Sequence, residues 1–203
     1  MSKRKIFVVL DLDSTLINTL PGPKKREETI IPGSPRRQPA TDKRNRGYHD
    51  DEMDYFDLDE FEMRVHKRPG LERFLTKVYK HCASVSIWSA GHPLYVNAVA
   101  GYLEKTYKVH FDLVWTRDDC KRVGKDEWVK PIEKFVDAMK SKGATMKNTV
   151  LVDDLKENLE LNPDNALRIY PYHKNNPYDY GLYQALEWII DLACPEKKSK
   201  EDV

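Results

Sequence analysis

Apolar residues follow two rhythms along the chain. Ile6-Phe7-Val8-Val9-Leu10 is a continuous apolar, β-branched run, the pattern of a strand buried on both faces of a parallel sheet. Ser84 to Trp88, Phe111 to Trp115, Thr149 to Val152 and Ala166 to Tyr170 read as further strands. Between them the apolar positions take helical spacing. Leu71, Phe74, Leu75, Val78, Tyr79 and Cys82 follow Arg68-Pro69-Gly70, and Pro93, suited to a first turn, opens a helix to about Thr106. Ile132, Phe135, Val136 and Met139 follow Lys130-Pro131, with Gly143 placed to end that helix. Leu182, Leu186, Ile189, Ile190 and Ala193 mark a last one. Strands alternating with helices predict an α/β fold, a parallel sheet with helices on both faces, in which ligands gather at the carboxyl ends of the strands.

The rhythm stops from about Asn18 to Asp54. Pro21, Pro23, Pro32, Pro35 and Pro39 stand among basic clusters such as Lys24-Lys25-Arg26 and Lys43-Arg44-Asn45-Arg46, with few large apolar residues. Such a stretch buries too little to offset its ordering entropy, so residues 18–54 are expected to be a flexible insertion. The acidic run from Asp50 to Glu62 is expected to be solvated despite Tyr55, Phe56, Leu58 and Phe61. One folded domain is then made of residues 1–17 and 55–194, followed by a charged tail at 195–203.

Composition narrows the setting. A chain of 203 residues with 40% hydrophobic content can form one α/β domain with a core. The formal net charge of +1 gives no general pull toward nucleic acid or a membrane surface. Cys82, Cys120 and Cys194 are widely spaced and lack any C-x-x-C pairing, which argues against a zinc site and fits a reducing compartment. No segment approaches membrane-spanning length. The expectation is a soluble intracellular protein, nuclear or cytoplasmic, with no membrane partner; nothing in the pattern sets its oligomeric state.

Candidate chemistry sits where the strands end. The first strand runs into Asp11-Leu12-Asp13-Ser14-Thr15, the second into Ser89, Lys130 precedes a helix, and a later strand ends in Asp153-Asp154. Two carboxylates two residues apart just past a buried strand can reach one site, Asp11 as nucleophile and Asp13, protonated, as donor to a leaving oxygen. So many acids repel a phosphate unless a hard cation is present, and Mg²⁺ with carboxylate and carbonyl ligands suits them. Lys130 adds positive charge, and a Ser89 hydroxyl can donate to a phosphoryl oxygen. Each residue alone has a plainer reading: Ser89 as a turn residue, Lys130 as a solvated lysine, Asp153-Asp154 as a helix cap. Their shared position at strand ends favours the chemical reading.

The motifs DLDSTL (11 to 16), VHKRPGLERFL (65 to 75), IWSAG (87 to 91), WVKPIEKF (128 to 135), LVDD (151 to 154) and NPDNALRIYPY (162 to 172) resemble the haloacid dehalogenase superfamily. Within it they are similar to the RNA polymerase II carboxy-terminal-domain phosphatases, the NLI-interacting-factor-like group. The resemblance implies that Asp11 attacks phosphorus, that Asp13 protonates the departing Ser or Thr oxygen and later activates water, and that Thr15 supports the loop. It also implies that Ser89 and Lys130 contact the phosphoryl group. Mg²⁺ would be bound by Asp11, the main-chain carbonyl of Asp13 and Asp154, with Asp153 in support; many relatives carry asparagine at the second position of that pair.

Between Ser89 and Lys130 the sequence leaves room only for a small hairpin, not a large cap, and an open site suits phosphorylated protein segments. A protein Ser/Thr phosphatase acting on a phosphorylated protein or peptide is therefore expected. Two alternatives remain: a phosphatase for nucleic-acid ends or small phosphate esters, motivated by the basic clusters between Lys24 and Arg46, and a catalytically idle binding module of the same fold.

Overall fold

The computed structural model describes residues 4–22, 54–174, 176 and 178–195. Its centre is a five-stranded, all-parallel sheet of β1 (Phe7–Leu10), β5 (Ser84–Trp88), β6 (Val114–Trp115), β9 (Thr149–Asp153) and β10 (Ala166–Arg168). The order is β10-β9-β1-β5-β6, so β1 is central, paired on one side with β5 and on the other with β9. The register sets Leu10 beside Ile87 and Val152, which brings Asp11, Ser89 and Asp153 to the same edge.

The continuous apolar run of β1 is used on both faces. Val8 and Leu10 join a core with α1 (Leu71–His81), α2 (Pro93–Tyr107) and α5 (Gly181–Ala193), through residues such as Phe74, Val99 and Ile189. Phe7 and Val9 turn the other way, onto Ile132, Phe135 and Met139 of α3 (Ile132–Met139). Period-two alternation of side chains puts each face against its own helices. Gly143, with φ +98°, ends the 3₁₀ turn that follows α3, as its placement predicts.

Two expectations need correction. The folded domain does not stop at Ile17: β2 (Ile17–Pro21) pairs antiparallel with β4 (Met63–Lys67), and β3 (Tyr55–Leu58) pairs on its other side. The start of the proline-rich stretch is thus a strand; its remainder, 23–53, lies outside the described residues. Nor is the acidic run all solvated, because Phe56 is buried, opposite Val65 in the sheet and stacked on Tyr102 with ring centroids 3.6 Å apart. One apolar face in a short strand of alternating charge is enough to hold it down once a partner strand covers its backbone groups. The strand read at Phe111 to Trp115 is shorter, with only Val114–Trp115 paired.

Between Ser89 and Lys130 stands a two-stranded hairpin, β7 (Lys121–Arg122) with β8 (Trp128–Val129). The short helix α4 (Lys156–Leu161) follows β9. No helix among the described residues is long and apolar enough to cross a membrane.

Candidate active site

The loop after β1 is wound tightly. The amides of Thr15, Leu16 and Ile17 all donate to the Leu12 carbonyl, and the Ser14 amide donates to the Ile17 carbonyl at 2.7 Å. Ser14 has φ +61°, a left-handed conformation uncommon for a residue with a side chain. External bonds hold it: the Tyr172 amide donates to the Ser14 carbonyl at 2.7 Å, and the buried Arg68 guanidinium donates to the carbonyl of Thr15 at 2.9 Å. Arg68 is itself fixed by Asp179 and by the Tyr170 carbonyl. The backbone that carries both acids is therefore set by residues far away in sequence.

Asp11, Lys130 and Asp153 meet directly. The buried Lys130 ammonium donates to Asp11 Oδ1 and, at 2.7 Å, to Asp153 Oδ2. Lys130 is positioned through its backbone. Its amide donates to Asn158 Oδ1 at 2.9 Å, and its carbonyl accepts from Asn162 Nδ2 at 2.9 Å. Both asparagines are buried, and sequence reading assigned neither a role. Asn158 also donates to Asp153 Oδ2 at 3.0 Å, so one amide sets the lysine and its acid together. The spacing of the two asparagines, four apart on one helical face, was the available signal.

The two acids of the β9 edge divide their work. Asp153 is fully buried, its Oδ1 accepting the Leu155 amide and its Oδ2 taken by Lys130 and Asn158. Asp154 is only half-buried and accepts from the Thr15 hydroxyl at 3.2 Å through Oδ1. Asp13 Oδ1 accepts from the Tyr95 hydroxyl at 2.7 Å, and that hydroxyl is 2.6 Å from Thr19 Oγ1 of β2. Ser89 is buried, and its Oγ accepts from the Gly91 amide at 3.1 Å, leaving its own proton to give. No direct hydrogen bond ties Ser89 to the acids; it shares their sheet edge.

Electrostatics sharpen this arrangement. Burial pushes the Asp11 carboxyl up to about 8; Lys130 opposes the rise, and Asp153 and Asp154 add to it. Burial acts to lower the Lys130 pKa, but Asp11 and Asp153 outweigh it and hold the ammonium protonated. Burial also raises Asp13, against the hydrogen bonds from Tyr95 and Thr19, which favours the protonated form a general acid needs. Asp154 is raised by burial and then by Asp153.

Asp11, Asp153 and Asp154 crowd three carboxyls around one ammonium, and a hard divalent cation beside them would favour their charged forms. Among the described residues no three acidic, histidine or cysteine side chains form a ready cage. An ion here would therefore complete its shell with main-chain and water oxygens, as Mg²⁺ commonly does. The donors present fit such an ion.

Comparison with known proteins bears on the chain as a whole. The family model for NLI interacting factor-like phosphatases matches residues 6–203. The chain belongs to this family. A Danio rerio protein named ubiquitin-like domain-containing CTD phosphatase 1 is 29% identical over 136 residues, 62% of this chain and 42% of that protein. A Dictyostelium discoideum CTD small phosphatase-like protein 2 is 24% identical over 195 residues, 96% of this chain and 29% of that protein. This member of the NLI interacting factor-like phosphatases thus spans less than half the length of these curated relatives.

Solved structures agree on the fold. The fission yeast RNA polymerase II CTD phosphatase Fcp1, as a variant bound to beryllium fluoride, matches with a TM-score of 0.54 at 18% identity, covering 93% of this chain and 50% of that one. A Had-superfamily hydrolase from Ehrlichia chaffeensis matches with a TM-score of 0.52 at 13% identity, covering 95% of this chain and 99% of that one. The family member described here has the haloacid dehalogenase α/β fold.

Proposed function

We propose that this chain is a Mg²⁺-dependent protein serine/threonine phosphatase working through an aspartyl-phosphate on Asp11. The observation that carries the reading is the buried Lys130 ammonium held between Asp11 and Asp153, a fixed positive charge at the point where a phosphoryl group would meet the nucleophile. Membership of a phosphatase family and relatives named as CTD phosphatases support it.

The Asp11 carboxylate attacks phosphorus, and the bond from phosphorus to the serine or threonine oxygen breaks. Asp13 gives its proton to that departing oxygen. The Asp13 carboxylate then takes a proton from water as that water attacks the aspartyl-phosphate, releasing inorganic phosphate and restoring Asp11. Lys130 and the Ser89 hydroxyl donate to phosphoryl oxygens during both transfers. Mg²⁺, held by Asp11, the Asp13 carbonyl and Asp154, would neutralise phosphate charge as it approaches the acids. Asp153, its oxygens taken by Lys130, Asn158 and the Leu155 amide, acts by placing Lys130.

The small hairpin between Ser89 and Lys130 in place of a large cap supports a phosphorylated protein segment as substrate. The basic clusters that motivate a nucleic-acid reading lie outside the described residues. The test is phosphate release from a phosphoserine peptide panel and from a 3′-phosphorylated oligonucleotide, with Mg²⁺ and with chelator. Peptide turnover that needs Mg²⁺ and vanishes in Asp11→Asn is expected. Strong preference for the oligonucleotide, or activity retained by Asp11→Asn, overturns the reading.

A further inference from the structure

At the far end of the sheet from Asp11, a cavity of about 310 Å³ opens where the chain enters β1 and β9 and meets α5. Its size is at the lower end of small-molecule sites, which run from about 300 to 1,000 Å³. Trp188 and Leu192, one turn apart on α5, wall it together with Ile6. Trp188 is 38% exposed.

Charge at this cavity is one-sided. Arg4, Lys5 and Lys147 line it, all exposed, and none is ion-paired among the described residues. Among the described residues Asp164 is the one acid in the lining. Thr149, at the start of β9, lines the cavity too, through atoms other than its fully buried hydroxyl. A metal cation is disfavoured by the lysines and arginine, and an extended peptide is too long for the volume.

We propose that this cavity is a binding site for a small aromatic anion, its ring system against Trp188 and Leu192 and its acidic group among Arg4, Lys5 and Lys147. Guanidinium and ammonium groups give charge-assisted bonds to such an acid, and the indole face favours a flat partner. The site stands apart from the phosphatase reading, because it lies at the amino ends of the strands whose carboxyl ends carry Asp11 and Asp153.

The test titrates the full chain with 8-anilinonaphthalene-1-sulfonate and, in parallel, with 1-anilinonaphthalene, which has the same rings without the acid. The sulfonate is expected to bind saturably at one site, and the neutral dye about tenfold more weakly, the loss of one charge-assisted contact. Lys147→Glu and Trp188→Ala should each weaken the sulfonate about tenfold, while Asp11→Asn leaves it unchanged. Lys147 is exposed, so its variant tests the site even if Trp188→Ala perturbs the fold. Equal binding of the two dyes, indifference to Lys147→Glu, loss of binding in Asp11→Asn, or no saturable binding overturns the proposal.

Discussion

Arg68 and Asp179, 111 residues apart in the chain, form a two-pronged buried ion pair, Nε to Oδ1 at 2.6 Å and Nη2 to Oδ2 at 2.9 Å. The guanidinium also donates to the carbonyls of Thr15 and Tyr170, so one cation ties the loop bearing Asp11 and Asp13 to the segment that leads into α5. Removing one partner of a buried pair strands the other charge. Arg68→Ala is expected to cost about 3–5 kcal/mol of stability, measured by urea unfolding. Arg68→Lys should recover little of it, because a single ammonium cannot match a planar fork that serves both carboxylate oxygens of Asp179 and two carbonyls.

The same pair explains a glycine. A Cβ built on Gly181 would lie 2.1 Å from Arg68 Nη2 and 2.7 Å from its Cζ. The guanidinium cannot swing aside without giving up Asp179 and two carbonyls. Gly181→Ala is therefore expected to destabilise by about 1–3 kcal/mol, the cost of overpacking, despite the usual gain of replacing glycine in a helix. A thermal midpoint equal to or above that of the parent protein would show that Arg68 has room to move.

The legible parts of this protein are those where one local pattern has one outcome. Ile6 to Leu10 could be read as a central strand because only a strand covered on both faces uses five apolar residues in a row. Asp11, Ser89 and Asp153 could be brought together on paper because parallel strands end on one edge. The β2-β4-β3 sheet could not, since strands such as Met63–Lys67 carry charge at alternate positions and depend on partners separated by a polar stretch. Apart from their spacing, Asn158 carries no local signal and Asn162 stands out only at the head of a family motif; their burial follows from where α4 packs beside Lys130. Asp179 lay in a tyrosine-rich loop whose one remote partner no local pattern reveals.

Lys130 is held through its backbone, which separates its placement from its charge. Asn158→Leu keeps Lys130 and Asp153 chemically intact but leaves the Lys130 amide without its acceptor in a buried place. The expected cost is about 1–3 kcal/mol of stability. Turnover on a phosphoserine peptide should fall by about tenfold or more with little change in KM, because a displaced ammonium weakens charge stabilisation in the transition state more than ground-state binding. Single-turnover kinetics alongside unfolding curves check both, and a stability loss without any fall in turnover would mean that Lys130 keeps its position unaided.

The hydroxyl contacts of Asp13 bear on which of its oxygens would deliver the proton in the general-acid role proposed for it. Tyr95 donates to Oδ1 at 2.7 Å, and its oxygen stands 2.6 Å from Thr19 Oγ1. With Oδ1 engaged, Oδ2 is the oxygen left to carry the proton that the proposed general-acid role requires. Tyr95→Phe removes that restriction and leaves the ring and its edge contact with Phe61 in place. A serine alkoxide needs a proton to leave, so hydrolysis of a phosphoserine peptide is expected to slow by about tenfold, a part of the 10²–10⁴ that general acid catalysis supplies. A p-nitrophenolate leaves unaided, and the rate on p-nitrophenyl phosphate should hold within about twofold, since general acid assistance is little used there. If both substrates slow together, Tyr95 supports the loop and does not direct the proton.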